Sequence, residues 1–301
     1  MRIKLCGFVV WAVFLACGLM SCQQEDRPHG VQYPIVFSNS SETRATATED
    51  DLMKDGFTVY AFVQGNAGST SFAKDVVYNA DNNVWAFESP EYWIPNTDYY
   101  FKAFYPATLT SGKLAVDNSS SDQSYTITNF DITYQEDVMV ASATATVPIG
   151  ASHPDNSSVV GLNFEHLLAC VEINLKSSIP DVKVEKVSLM NITDGETCTN
   201  GVWSASSNLT ASLFYNEETE LTDEYQDVTG GGFVVIPQKR DIKLIIKTNQ
   251  KEYEVDLSIH WIKGNKYTYT AEIKQNDIIF ADAPGVDVWD SESATGSVII
   301  K

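Results

Sequence analysis

Short runs of β-branched and aromatic residues, each ended by turn-forming residues, follow one another from residue 57 to residue 273. Such runs favour strands, and frequent turns between them are typical of antiparallel sandwiches. No stretch keeps a helical period, apart from weak candidates at 50–54 and 164–168. The sequence therefore predicts an all-β chain. The predicted strands are Phe57–Val63, Tyr99–Tyr105, Ser124–Ile132, Val138–Ala143, Val159–Phe164, Ala169–Leu175, Val182–Leu189, Phe233–Ile236, Ile242–Lys247, Tyr253–Ile259 and Tyr267–Ile273.

Turn and linker signals predict how these strands are grouped. Asp81-Asn82-Asn83 separates Asp75–Tyr78 from Val84–Phe87, which predicts a β-hairpin. The segment 147–158 is rich in Pro, Ser, Asn and Gly and is typical of a linker. At about 150 residues per domain, a chain of 301 residues has room for two sandwiches in tandem. The predicted antiparallel β-sandwich domains are residues 45–150 and residues 151–301.

The N-terminal segment is typical of a secretory signal. Arg2 and Lys4 precede an apolar run, Leu5–Met20, that is shorter than the roughly 20 residues of a membrane helix. The run ends in Leu-Met-Ser-Cys, which resembles a bacterial lipobox with Cys22 as the lipidated residue. Cys17 is a rival lipidation site, and an ordinary cleaved signal in which Cys22 is incidental is the alternative.

This interpretation sets the expected location. We predict a lipoprotein signal peptide at residues 1–21 and a lipid tether at residues 22–44. The acidic stretch Gln23–Asp26 resembles the surface-export signal of lipoproteins in Gram-negative anaerobes. The sequence therefore predicts a surface-exposed lipoprotein of the outer membrane, held there by the lipid on Cys22.

Charge excludes two classes of partner. The chain has 20 Lys and Arg against 40 Asp and Glu, which gives a net charge of −20 and a pI near 4.4. Nucleic acid and anionic membrane surfaces bind clusters of basic residues, so neither is an expected partner. Beyond the N-terminal segment the cysteines are Cys170 and Cys198. They could form a disulfide in an oxidising compartment, but a small buried role is favoured for Cys170.

Signatures of catalysis and metal binding are missing from the sequence. The usual nucleophile, zinc and phosphate motifs do not occur, and the four histidines are scattered without ligand spacing. Asn79, Asp81 and Asn83 follow the rhythm of a calcium loop, but Val84 and Pro90 stand where that loop needs Gly and Glu. We therefore expect a protein that is not an enzyme and that has no cofactor and no metal site.

Aromatic residues offer a possible binding surface. Tyr92, Trp93 and Trp203 are candidate glycan contacts, because exposed aromatic rings can stack on sugars. Trp85 and Trp261 lie in strand patterns, for which a place in the core is the stronger interpretation.

Several short segments, taken in order along the chain, form a recognisable set. They are Ile35–Phe37, Thr43–Ala45, Gly56–Ala61, Tyr92-Trp93, Tyr100–Pro106, Gln135–Ala141, Leu162–Leu168, Phe233–Gln238 and Trp261–Thr270. Together they resemble the fimbrillin family of surface lipoproteins from Gram-negative anaerobes. The resemblance implies two transthyretin-like β-sandwich domains, surface display, and assembly into fimbriae that mediate adhesion.

The resemblance also implies an assembly mechanism. A trypsin-like protease would cut between Arg44 and Ala45, removing the candidate first strand Ile35–Phe37, and another subunit would donate a strand to the exposed groove. An uncut Arg44 in a loop is the alternative. The candidate donor segments are Val286–Trp289 and Ser297–Ile300, and a closing edge strand of the second domain is equally compatible with either.

Two functions follow as expectations. The first is a fimbrial subunit or adhesin that pairs with other subunits by β-augmentation. The second is a non-polymerising glycan-binding lipoprotein. A stalk, anchor or tip position is left open, as is the receptor.

Overall fold

The computed structural model describes residues 32–39, 52–66, 68–155, 157–204, 208–275, 277–281 and 283–289. Within these ranges the backbone forms strands and loops, with a 3₁₀ helix at Ile132–Tyr134 and a helical turn at 52–55. The all-β prediction is confirmed. The strands up to the middle of the chain are β1 (Val36–Asn39), β2 (Phe57–Gly65), β3 (Gly68–Asn79), β4 (Val84–Phe87), β5 (Thr97–Tyr105), β6 (Lys113–Val116), β7 (Tyr125–Thr128), β8 (Met139–Val147), β9 (Val159–Leu162) and β10 (Glu165–His166). The later strands are β11 (Ala169–Ser177), β12 (Lys183–Thr193), β13 (Cys198–Thr199), β14 (Val202–Trp203), β15 (Thr210–Tyr215), β16 (Thr219–Glu220), β17 (Gln226–Asp227), β18 (Phe233–Val235), β19 (Gln238–Thr248), β20 (Glu252–Trp261), β21 (Asn265–Ile273), β22 (Ile278–Phe280) and β23 (Gly285–Val288).

The first sheet has eight strands in the order β10-β8-β5-β2-β3-β4-β1-β9. Its two edges, β9 and β10, are joined by only Asn163 and Phe164. In a flat sheet of eight strands the edges would lie roughly 34 Å apart, which is several times the reach of such a short connection. The sheet therefore curls over itself and encloses an apolar core. In β5 the alternating residues Tyr99, Phe101 and Ala103 are buried on the inner face, as the period of two requires.

The second half of the chain builds two facing sheets. One contains β11, β17, β18, β21, β22 and β23, and the other contains β12, β15, β16, β19 and β20. The first is centred on a parallel pair, β11 with β21, and the second is antiparallel. Val171 and Ile173 of the first sheet join Leu189 and Leu244 of the second in one apolar cluster. The two sheets therefore form a β-sandwich.

A four-stranded sheet, β14-β13-β7-β6, connects the two halves of the chain. Cys198 of β13 is the pairing partner of Ile127 of β7, so a hairpin from the second half extends a hairpin from the first. Phe104, Tyr125 and Ile127 belong to the same apolar cluster as the core of the second sandwich. The two halves therefore share buried side chains.

Most predicted strands are observed, and the hairpin through Asp81-Asn82-Asn83 is confirmed by the pairing of β3 with β4. The predicted strand Ser124–Ile132 is too long, because β7 ends at Thr128 and Ile132 begins the 3₁₀ helix. The weak helix candidate at 164–168 is wrong, because Glu165 and His166 pair with β8. Residues 159–166, which we assigned to the second domain, pair within the first sheet through β9 and β10. The division into two domains stays a prediction.

Within the described ranges, no helical segment has the length and apolar character that a bilayer crossing requires.

Candidate functional site

The first strand occupies a slot between two other strands of the eight-stranded sheet. β1 runs antiparallel to β4 through the pairs Val36–Ala86 and Phe37–Trp85. On its other side β1 runs parallel to β9, from Val36–Val159 to Asn39–Leu162. Both neighbours thus use β1 to complete their backbone hydrogen bonding. We name this position the β1 slot, defined by β4 on one side and β9 on the other.

Two β1-segment side chains fill the core beneath the slot. Ile35 is 1% exposed and Phe37 is 0% exposed. The Phe37 ring makes edge-to-face contacts with Phe87 and Phe101, at centroid distances of 5.3 and 5.5 Å. Burial of each such side chain is worth roughly 1.5–3 kcal/mol. The slot is therefore a deep apolar site that a short strand occupies.

The residues just before β1 are also held by backbone contacts. Ile35 donates its N–H to the carbonyl of Glu91 at 2.7 Å, and Trp93 donates its N–H to the carbonyl of Tyr33 at 3.1 Å. Pro34 forms an isolated bridge with Tyr92. The seated segment therefore extends from Tyr33 to Asn39, longer than the Ile35–Phe37 strand that the sequence indicates.

The predicted processing and lipidation residues, Arg44, Ala45 and Cys22, lie outside the described residues. β1 ends at Asn39, and the described chain resumes at Leu52. The cleavage prediction thus falls on the connection between β1 and the body. In the sequence that connection contains Ser, Glu, Thr and Ala around Arg44.

One candidate donor segment, Val286–Trp289, is seated within this chain. Val286 pairs with Tyr267 as β23 lies antiparallel to β21. The Trp289 ring stacks on the His166 ring, with the centroids 4.0 Å apart and an angle of 7° between the planes. The backbone N–H of Trp289 donates to the carbonyl of Gly264 at 2.7 Å. In this structure the segment is a closing edge strand, which was the alternative interpretation. The other candidate, Ser297–Ile300, lies outside the described residues.

The three candidate glycan contacts have different environments. Tyr92 is 42% exposed, but Trp93 is only 4% exposed. The Trp93 ring packs edge-to-face on Tyr99 at 4.8 Å, and its Nε1–H donates to the carbonyl of Ser158 at 3.2 Å. The expectation of an exposed Trp93 is therefore wrong, because this side chain belongs to the core of the first sheet.

Trp203 is partly buried on β14. Its Nε1–H donates to the Leu167 carbonyl at 2.6 Å, and its ring lies 5.2 Å from that of Phe130. Tyr92 lies beside Pro34 at the first sheet, and Trp93 belongs to the core of that sheet, whereas Trp203 packs against the apolar cluster of the second half of the chain. The three aromatic residues therefore do not form one platform.

The two body cysteines are separate and buried. Cys170 lies on β11 and Cys198 on β13, in different sheets, and both are free thiols. Burial raises the pKa of Cys170 to about 12 and that of Cys198 to about 11. A thiol that stays protonated is a poor nucleophile, so both residues act as small apolar side chains.

Asn79, Asp81 and Asn83, which follow the spacing of a calcium loop, lie at the turn between β3 and β4. Asp81 donates its N–H to Asn79 Oδ1 at 3.0 Å, and Asn83 has a positive φ of 55° in the β3–β4 connection. Within the described ranges, no group of three His, Cys, Asp or Glu side chains is placed to hold a metal ion. His166 lies next to Asp137, with 2.6 Å between Nδ1 and Oδ2.

The fold, a curled β-sheet joined to a β-sandwich, places this chain beside solved structures of fimbrial and cell adhesion proteins. The fold is similar to that of a fimbrial protein from Bacteroides vulgatus, with a TM-score of 0.55, 16% identity, and coverage of 86% of this chain and 99% of that one. A proposed cell adhesion protein from Bacteroides ovatus gives a TM-score of 0.54 at 15% identity, covering 87% of this chain and 99% of that one. A second one, from Bacteroides uniformis, gives 0.52 at 16% identity with the same coverage. At such identities the likeness concerns the fold alone.

The family follows from the sequence itself. A family model described as fimbrillin-like matches residues 43–285. The chain therefore belongs to the fimbrillin-like family, and the predicted resemblance is confirmed. Among curated proteins, none matches this chain.

Proposed function

We propose that this protein is a fimbrial subunit or adhesin displayed on the cell surface through a lipid on Cys22. In this proposal a protease cuts after Arg44, β1 leaves its slot, and a strand from another subunit takes its place. Membership of the fimbrillin-like family supports the subunit or adhesin role. The observation that carries the mechanism is the seating of β1 between β4 and β9.

Removing β1 would leave a site built for β-augmentation. Backbone groups of β4 and β9 that now pair with β1 would lose their partners, and the pockets of Ile35 and Phe37 would open to water. Unpaired backbone groups and exposed apolar pockets are both unfavourable, so an incoming strand that satisfies both is favoured. The requirement on that strand is a large apolar side chain at every second position.

The connection to β1 makes this replacement possible. After a cut between Arg44 and Ala45, β1 would be held by non-covalent contacts alone. Those contacts include two buried apolar side chains, worth roughly 1.5–3 kcal/mol each, so β1 would stay seated until a competing strand displaced it. Cleavage would thus permit exchange rather than cause immediate release.

The proposal also requires a segment that another subunit donates to the β1 slot. Val286–Trp289 would have to leave β21 before it could be donated, whereas Ser-Val-Ile-Ile at 297–300 has the apolar side chains that the slot requires. We therefore favour Ser297–Ile300 as the donated strand.

The test is an intact-mass and N-terminal analysis of the protein in sheared surface appendages and in the membrane fraction. A start at Ala45 in high-molecular-weight appendages supports the proposal. The variant Arg44→Ala should retain β1 and stay out of those appendages. Arg27→Ala, an arginine ahead of β1, is the matched control and should assemble normally. Appendages built from chains that still begin at Cys22 would refute the exchange mechanism.

The alternative, a glycan-binding lipoprotein with an aromatic platform, has less support. It relied on exposed aromatic side chains such as Tyr92, Trp93 and Trp203, and of these Trp93 is buried and Trp203 is partly buried. A glycan pulldown in which retention falls on replacing Tyr92 by Ala would restore it.

A further inference from the structure

A recess of about 350 Å³ opens between the end of the β19–β20 pair and the edge strand β14. Its volume falls at the lower end of the range of small-ligand sites. The residues that matter in its lining are Val202, Trp203, Lys239, His260, Ile262 and Lys263. We call this site the lysine recess.

The charge of the lysine recess is opposite to that of the molecule. Lys239 and His260 are direct cross-strand partners, so their side chains share one face of the sheet. A Cβ built on Gly201 would lie 3.0 Å from Lys263 Nζ, which places the Lys263 ammonium group over that glycine. Among the residues that the structure describes, no Asp or Glu lines the recess, although acidic residues outnumber basic ones by 40 to 20 in the chain.

Both lysine ammonium groups are available to a ligand. Lys239 and Lys263 are exposed, and the ammonium group of neither makes an ion pair or hydrogen bond within the described ranges. By contrast, Lys243 and Lys247 on the same strand β19 are paired with Glu254 and Glu185. Unpaired cations grouped beside a recess favour an anionic ligand.

The walls add an apolar surface. Val202 is 71% exposed and Ile262 is 49% exposed, so both offer aliphatic surface to a ligand beside the two lysines. Trp203 lies beside them and is fixed through its hydrogen bond to the Leu167 carbonyl. The recess therefore combines a rigid apolar wall with a cationic rim, and this pairing suits a ligand that has both a carbon ring and a carboxylate.

We propose that the lysine recess binds an acidic sugar, with the sugar carboxylate on Lys239 and Lys263 and the ring against Val202, Trp203 and Ile262. A compact ligand fits better than an acidic peptide lying along the neighbouring edge strand. β20 carries the exposed acids Glu252, Glu254 and Asp256, and Lys243 pairs with the last two. The three acids outnumber that lysine, so this surface has a net negative charge that would repel such a peptide. This site does not depend on strand exchange, and it uses neither Tyr92 nor Trp93.

The test is a ligand-observed NMR titration of the full chain with glucuronate and with glucose. Charge-assisted hydrogen bonds to the carboxylate should make glucuronate bind at least about tenfold more tightly than glucose. The double variant Lys239→Gln, Lys263→Gln should remove that preference. Ile262→Ser should weaken glucuronate binding severalfold by removing part of the apolar wall.

A matched control separates the recess from general charge. The double variant Lys243→Gln, Lys247→Gln makes the same change in net charge, on the strand β19 that also carries Lys239, and should leave glucuronate binding unaltered. Equal binding of glucuronate and glucose, or no binding of glucuronate, would overturn the proposal. So would binding of a Glu-rich decapeptide that depends on Lys239 while glucuronate fails, because the recess would then be a peptide site. All of these readouts are independent of whether the chain assembles into fimbriae.

Discussion

Phe37 offers the sharpest test of how firmly β1 is seated. Replacing it by Ala removes a ring that is 0% exposed and that contacts Phe57, Phe87 and Phe101 edge-to-face. Phe→Ala changes in a well-packed core typically cost about 3–5 kcal/mol, since the lost transfer free energy adds to the cavity that remains. We expect Phe37→Ala to lower the free energy of unfolding by that amount, a large part of the 5–15 kcal/mol available to a typical domain.

The measurement is urea unfolding of the intact chain, followed by tryptophan fluorescence. Phe214→Ala is the size-matched control, because Phe214 is 50% exposed on β15 and its removal should cost about 1 kcal/mol or less. In a chain cut after Arg44, the same change should speed release of the β1 peptide by two orders of magnitude or more. A loss for Phe37→Ala no greater than the Phe214→Ala loss would refute the argument that β1 is part of the core.

Three further predictions concern other parts of the chain. Because burial raises the pKa of Cys170 to about 12 and of Cys198 to about 11, alkylation at pH 8 should label neither in the native state and both after unfolding, as read by peptide mass. Unfolded thiols titrate near 8.5, so the native state should lose stability as the pH rises from about 9 towards these values; a urea midpoint that stays constant over that window would contradict this. Gly232→Ala should lower the free energy of unfolding by about 1–3 kcal/mol more than Gly231→Ala. A Cβ on residue 232 would lie 2.6 Å from Cys170 Sγ, whereas a Cβ on residue 231 would meet nothing within 4 Å. Equal urea midpoints for the two variants would count against this reasoning. Trp289→Ala removes the ring stacking that holds the end of β23, so amide exchange in β23 should accelerate, and unchanged exchange would show that the stack does not hold the strand.

Strands could be predicted from the sequence where buried and exposed side chains alternate within the strand itself. β5 alternates buried Tyr99, Phe101 and Ala103 with less buried neighbours, and that period of two is visible without any tertiary knowledge. The two-residue strands β13 and β14 were not predicted. They exist because Cys198 and Thr199 meet β7, about seventy residues earlier in the chain, and such pairing leaves no local pattern.

The predictions about binding residues were less accurate, because they too depend on contacts between residues far apart in the sequence. Trp93 precedes Ile94 and Pro95 in a segment without alternation, so its exposure could not be inferred from neighbours. Its burial depends on Tyr99 and on the carbonyl of Ser158, a hydrogen bond across 65 positions. The lysine recess was missed because Trp203 and Lys263 are brought together only by the assembled sheets. Nothing in their spacing signals that meeting.

The mixed pairing of β1 has a consequence for the symmetry of any assembly that uses the slot. β1 is antiparallel to one neighbour and parallel to the other, so the two walls of the slot differ. An incoming strand that reproduces both ladders and both side-chain pockets must enter in one direction only. Every junction between subunits would then have the same sense, with a donor surface on one copy meeting an unlike acceptor surface on the next. Such heterologous contacts do not close into two-fold dimers; unless their rotation closes a ring, they build an open polymer with two chemically distinct ends.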